Sequence, residues 1–356
     1  MYNYDDVRVV HLEITQKCQA SCPMCDRNQN GGLINPHLSL AELSLENCKQ
    51  IFEPAFIKQL NYMYMCGNLG DPIIANDTLE VFDYFRTHNP NMKLSMNTNA
   101  GARNQQWWRD LAKVLGPKGM VRFSIDGLED TNHIYRRGVQ WDNVMSSLTS
   151  FIDAGGNAIW DYLIFDHNAH QVEEAKKLSV NLGVKTFVEK KTSRFYSTAK
   201  TSLKDTHTVK DRKGNDQYDL KPVDTPLNNK INNTIDKHGS LSNYYDTTEI
   251  VCKVKEQKSI FITAEGLAMP CCWTASRMYK WWHKDPKVEQ VWQFIKDTDR
   301  INVLKHGIKD VLNNGVFQDI EVSWGLRSVA EGKLKVCSEK CGKEFDPFKE
   351  QFVNAK

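Results

Sequence analysis

From the N-terminus to about residue 190, short apolar runs alternate with longer stretches of helical period. Residues 7–14, 60–66, 92–97, 120–125, 159–165 and 186–189 read as strands, and residues 40–52, 78–87, 105–115, 139–154 and 169–182 between them read as helices. Strands alternating with helices predict consecutive βα units and hence an α/β fold on a parallel sheet. Six units are too few to close the eight-stranded barrel. A curved, partly open (βα)6 barrel is expected instead, with its site along the accessible C-terminal edge of the strands.

The pattern changes after Arg194. Residues 195–250 are rich in Lys, Asp, Asn and Thr, with scattered aromatics at Phe195, Tyr196, Tyr218, Tyr244 and Tyr245. Such a stretch is expected to be a long, partly ordered connection: a lid, a bridge between domains or a solvated insertion. From Ile250 the apolar pattern resumes. Residues 258–263 and 267–271 around Glu265-Gly266 predict a β-hairpin, and helices are expected near 288–297 and 299–306 before a polar end. The expected organisation is a barrel core over 1–194, a connecting segment over 195–250 and a small α+β unit over 251–356.

The 356 residues are 40% hydrophobic, enough for a sizeable core, and no run approaches the roughly 18 apolar residues of a membrane span. The first residues have neither a basic nor an apolar leader segment, so a cytoplasmic protein is expected. So few residues precede the first strand that a separate leader-peptide-recognition domain is not expected there. A net charge of +2, from 46 basic and 44 acidic residues, makes no case for a nucleic-acid surface. Ten cysteines without a leader point to metal or redox chemistry in a reducing compartment rather than to disulfides.

Three of them form Cys18-x3-Cys22-x2-Cys25, directly after the first strand. Three thiolates on one short loop can hold three irons of a [4Fe–4S] cubane and leave the fourth iron open to a small molecule. A zinc knuckle is the alternative, but it needs a fourth ligand, for which His11 or Asp26 would have to serve. A second set follows residue 250. Cys252 and Cys271 lie at the ends of the expected hairpin, with Gly266-x4-Cys271 between them, and Cys337-x3-Cys341 adds two more thiols. Four thiolates can ligate a second [4Fe–4S] cluster completely, or a structural zinc. Cys272 is either spare or replaces Cys271. Cys48 and Cys66 fit no ligand spacing and read as buried small hydrophobes. Residues 273–292 hold four tryptophans around Lys280-Trp281-Trp282-His283-Lys284, more in keeping with the core of a small domain than with a stacking surface.

The first cysteine loop resembles that of the radical S-adenosylmethionine (radical SAM) superfamily, and further segments resemble that family in order. Cys66-Gly-Asn-Leu-Gly-Asp-Pro72 resembles its GxGEP motif, where Gly67 and Gly70 let the backbone approach the SAM amino group and Asp71, in place of the usual Glu, accepts its hydrogen bond. Asn97-Thr98-Asn99 resembles the segment near the SAM ribose, so Asn97 and Asn99 are implied there. Ser124-Ile-Asp126-Gly resembles the segment whose serine, with a later arginine, holds the SAM carboxylate; Arg137 is implied, with Arg136 a close rival. Met24 stands where an aromatic residue often packs by the adenine. Cys252, Cys271, Cys337 and Cys341 resemble the ligands of a twitch domain, a shortened SPASM-like unit holding an auxiliary cluster.

The resemblance implies an oxidoreductase that reductively cleaves SAM to a 5′-deoxyadenosyl radical and abstracts a substrate hydrogen. Its cofactors are implied to be a SAM-binding [4Fe–4S] cluster, a second auxiliary [4Fe–4S] cluster and SAM. It also implies an electron donor such as flavodoxin or ferredoxin. The substrate is a peptide or protein side chain to be oxidised or cross-linked, or alternatively a small molecule to be dehydrogenated. A non-catalytic metal-binding module is the rival from another class.

Overall fold

The computed structural model describes residues 1–192, 194, 195, 206–223 and 226–352. Six parallel strands form the body of one sheet: β1 Val9–Leu12, β2 Tyr62–Met65, β3 Lys93–Thr98, β4 Met120–Ser124, β5 Ala158–Leu163 and β6 Thr186–Lys190. They pair in chain order, with Val9 opposite Tyr62 and Ser124 opposite Asp161, so each crossover advances the sheet by one strand. The sheet is the expected open (βα)6 arrangement.

The covering helices form where apolar residues recur at helical spacing. Gln105–Leu115 buries Trp108, Leu111, Ala112 and Leu115 on one stripe. The side chain of Asn104 caps its start by accepting from the Trp107 N–H at 2.9 Å, and Gly116, at φ +64°, ends it. Trp108 meets Phe123 of β4 at 5.5 Å between ring centroids, and Phe123 meets Phe151 of the helix Trp141–Asp153 at 5.7 Å. These contacts lock the helical layer onto the sheet.

The C-terminal hairpin forms as expected, but its place in the sheet was not legible in the sequence. β9 Ser259–Ile262 lies parallel to β1, with Val9 opposite Ser259, and β10 Ala268–Met269 returns antiparallel around Gly266 at φ +72°. The barrel sheet therefore has eight strands, in the order β10-β9-β1-β2-β3-β4-β5-β6. Beyond the hairpin, the helices Val303–Asn313, Val316–Ser323 and Lys335–Cys341 pack their apolar residues into the same core as the barrel.

Where described, the connecting segment is ordered. It contains a second hairpin, β7 His207–Lys210 with β8 Asp216–Leu220, and the helices Pro226–His238 and Leu241–Thr247. The hairpin sits over the cysteine loop: the Lys210 N–H donates to Asn30 O at 2.9 Å, and Tyr218 donates to Ile134 O at 2.5 Å. Tyr196 lies outside the described residues. Among the described residues no helix is long and apolar enough to cross a membrane.

Candidate functional site

The segments that follow the parallel strands converge on a cavity of about 1220 Å3. Cys18, Cys22, Met24 and Cys25 line it, as do Gly67, Gly70, Asp71, Asn97, Asn99, Ser124 and Asp126. They come from the ends of four successive strands, β1 to β4, or the loops after them, so residues dispersed over a hundred positions line one cavity.

Two of the three sulfurs of the cysteine loop accept hydrogen bonds from its surroundings. Cys18 Sγ accepts from the Ala20 N–H at 3.4 Å and from Asn99 Nδ2 at 3.5 Å, and Cys22 Sγ accepts from Arg136 at 3.7 Å. Burial pushes all three thiols up, Cys25 to about 11, so metal capture must displace their protons. Neither proposed fourth zinc ligand joins them. His11 is turned into the barrel, stacked on Tyr64 at 4.3 Å, and its Nε2 meets Cys66 O at 2.6 Å. Asp26 is ion-paired with Lys280. Among the described residues no three His, Cys, Asp or Glu side chains form a cage for a metal ion. Three thiols facing a wide cavity fit a three-thiolate cluster better than a closed tetrahedral zinc site.

The loop after β2 requires glycine at two points. A Cβ on Gly67 would stand 1.9 Å from Gly70 O, and one on Gly70 would stand 1.9 Å from Thr15 O. Glu13, a residue the sequence reading missed, anchors this loop from below: its Oε1 accepts the Leu69 N–H at 2.6 Å, and the Asn68 and Gly70 N–H groups also face it. Asp71 accepts from Asn99 N at 2.8 Å and Ile73 N at 3.2 Å, while burial pushes its carboxyl up.

Burial also raises the Glu13 carboxyl, from 4.5 to about 7. A raised folded-state value means that Glu13 favours folding fully below about pH 4.5 and that this contribution is lost as pH rises through about 7, a swing of roughly 3 kcal/mol. Glu13→Gln should therefore flatten the fall in unfolding midpoint between pH 5 and 8. Parallel wild-type and variant profiles of midpoint against pH would assign the titration to another group.

Of the two adjacent arginines, Arg136 is the one that lines the cavity. The Arg137 guanidinium donates to Gly31 O at 3.1 Å and Lys210 O at 2.6 Å, tying the cysteine loop to the 207–220 hairpin outside the cavity. Arg136 lines the cavity instead, its Nε 2.6 Å from Asp126 Oδ2. Burial works against its charge, but Asp126 beside it outweighs that and holds the guanidinium protonated. Asp126 is fixed in turn by the Leu163 N–H at 2.6 Å.

Cys252, Cys271, Cys337 and Cys341 converge on a separate, small apolar cavity of about 10 Å3, walled by Ile250, Ile320 and Trp324 among others. Cys271 is the member of the 271/272 pair that faces it. Cys272 opens into the large cavity with Cys66, so Cys66 is not simply a buried filler, whereas Cys48 is. By chemistry alone, four thiols with no carboxylate suit a fully ligated cluster or zinc, but as placed they form no cage for a metal ion, so either group needs them to shift. A cubane needs the side chains to part. Trp281 and Trp282 line the large cavity; Trp273 lines it too and, like Trp292, packs against the core.

No protein-family model matches the sequence, and no curated protein matches it. Solved structures do match in fold. Streptococcus suis SuiB bound to precursor peptide SuiA is 14% identical, with a TM-score of 0.56 over 98% of this chain and 75% of that one. The structure of anSMEcpe with bound AdoMet is 12% identical, with a TM-score of 0.54 over 98% of this chain and 88% of that one. A further anSMEcpe structure, with AdoMet and the Cp18Cys peptide, is 13% identical with a TM-score of 0.53 over 98% and 91%. At these identities the likeness establishes the shared fold.

Proposed function

We propose that this protein is a radical SAM oxidoreductase acting on a peptide or protein side chain. The observation that carries the reading is the meeting of Cys18, Cys22 and Cys25 with Asp71, Ser124 and Arg136 around one cavity. When bound there, a [4Fe–4S] cluster supplies the electron that cleaves the C–S bond of SAM, giving methionine and a 5′-deoxyadenosyl radical. Asp71 is the acceptor for the SAM ammonium, held in place by the Asn99 and Ile73 N–H groups. Arg136, with Ser124, takes the carboxylate, and Asp126 keeps its guanidinium aimed. Met24 is proposed to pack by the adenine, and Asn97 and Asn99 to border the ribose.

Cys252, Cys271, Cys337 and Cys341 are proposed to hold a twitch-type auxiliary cluster, which supplies a one-electron acceptor and so favours oxidation or cross-linking. A small redox protein such as flavodoxin or ferredoxin is the proposed donor. A peptide is favoured over a small molecule by the likeness to structures solved with one. SuiB and anSMEcpe, which share the fold, were each solved with a peptide bound.

Protein purified anaerobically should be brown and should form 5′-deoxyadenosine and methionine in equal amounts from SAM and dithionite. Colourless protein that forms neither overturns the proposal. Arg136→Gln should weaken SAM binding roughly tenfold to hundredfold, the worth of a charge-assisted hydrogen bond, with iron content unchanged. Arg137→Gln should leave SAM affinity within about twofold. Calorimetric titration of SAM into both variants checks the assignment, and the reverse order would restore the role to Arg137.

A further inference from the structure

Among the described residues, the basic side chains lining the large cavity outnumber the carboxylates. Asp26 contacts Lys280, Asp126 contacts Arg136, Asp161 contacts Lys190 and Glu339 contacts Arg277, all as ion pairs. Asp71 is satisfied by backbone N–H groups. The remaining lining cations, Arg27, Arg194 and Lys340, meet no lining carboxylate in an ion pair. Arg27 donates to Gln16 O at 3.1 Å and Arg194 to Met24 O. The Lys340 ammonium has no hydrogen-bond or ion-pair partner among the described residues. The charges acting on it are first that of Glu339, itself already paired with Arg277, and then those of Arg277, Arg194 and Lys280. Trp281 and Trp282 line the same cavity, with Trp282 51% exposed.

A cation withdrawn from bulk water, whose one neighbouring carboxylate is already paired to another cation, carries a desolvation cost that a bound anion removes. Ser124, Asp71 and Arg136 come from the strand ends and Arg277, Lys280 and Lys340 from the C-terminal segment, and the two sets meet at the cysteine loop, where Lys280 pairs with Asp26 and Arg194 donates to Met24 O. We propose that Arg194, Arg277, Lys280 and Lys340 form a subsite for a carboxylate side chain of the peptide substrate, with Lys340 as its direct partner and the neighbouring tryptophans flanking it. This rests on the peptide reading above and narrows it to acidic peptides. Lys340 also borders the four-thiol cavity, so its charge has a second possible beneficiary, a cluster bound there. The test has to separate the two.

The probe is a set of octapeptide mixtures, randomised at every position except one central residue fixed as Glu, Asp, Gln or Lys. Each is passed over immobilised, anaerobically reconstituted holoprotein in the presence of SAM. The Glu or Asp mixture should be retained at least tenfold over the Gln and Lys mixtures, with the preference falling as salt rises. Lys340→Gln should erase the preference and Lys340→Arg should keep it. Equal retention of the four mixtures, retention of none, or a Glu preference that survives Lys340→Gln overturns the subsite. So does a Lys340→Gln protein in which only the spectrum of the auxiliary centre moves. Competition by free glutamate or inorganic phosphate as strong as by the Glu peptides, mole for mole, overturns the peptide part. Retention does not depend on turnover, whereas the wild-type 5′-deoxyadenosine assay does. Failure of the subsite is therefore distinguishable from failure of the radical SAM reading.

Discussion

Replacing Cys18, Cys22 and Cys25 together by Ala should reduce 5′-deoxyadenosine formation to the level of SAM and dithionite without protein. It should also remove about four irons per chain, one cubane's worth. The size of the effect follows from the geometry. No other described thiol of the large cavity belongs to this loop, since Cys66 follows β2 and Cys272 opens the helix Cys272–Ser276. The N–H donors from Ala20, Asn99 and Arg136 would survive the change but would have no sulfur to meet. Cys48→Ala is the control, because Cys48 is wholly buried in the helix Leu45–Ile51, away from the cavity. Iron content and product are both measured on anaerobic protein. Cleavage by the triple variant at wild-type rate would sink the radical SAM assignment.

Much of this site was legible because its residues sit at strand ends, and strand ends were what the apolar pattern marked best. The boundaries of Gln105–Leu115 coincide with those read from the sequence, since a buried stripe, an Asn cap and a terminal glycine agree there. Three features were not legible, each for a physical reason. The hairpin β7–β8 carries Asp, Lys and Asn on its exposed positions and buries little beyond Val209 and Leu220, so its composition resembles a linker. The pairing of β9 with β1 is a long-range choice of sheet edge, and no local period encodes it. Arg136 and Arg137 are neighbours in a turn between Tyr135 and Gly138, the latter at φ +81°, so a change of backbone direction decides which of them faces the cavity. Glu13 was missed because one carboxylate after an apolar run looks like a strand terminus; its partners are N–H groups more than fifty residues away.

Removing one thiol from the second set should halve the metal content without touching the first. Wild-type protein is expected to hold about eight irons per chain and no stoichiometric zinc, as two [4Fe–4S] clusters require. Cys271→Ala should hold about four, with the electron paramagnetic resonance signal of the reduced SAM-binding cluster still present. Cys271 is the informative choice because it faces the four-thiol cavity while its neighbour Cys272 faces the large one. Cys272→Ala should accordingly leave eight irons in place. The change at Cys271 also removes a sulfur that meets Thr274 Oγ1 at 3.5 Å at the start of the helix Cys272–Ser276, so some loss of thermal stability is expected. Circular dichroism identifies a variant that has lost the fold. Should Cys271→Ala unfold, the wild-type analysis still decides, because a four-thiolate zinc site leaves about four irons and one zinc per chain. That result would end the electron-acceptor role, and with it the case for oxidation over a redox-neutral rearrangement. Eight irons, falling to four in the Cys271 variant and staying at eight in the Cys272 variant, would identify the second cluster and its ligands together.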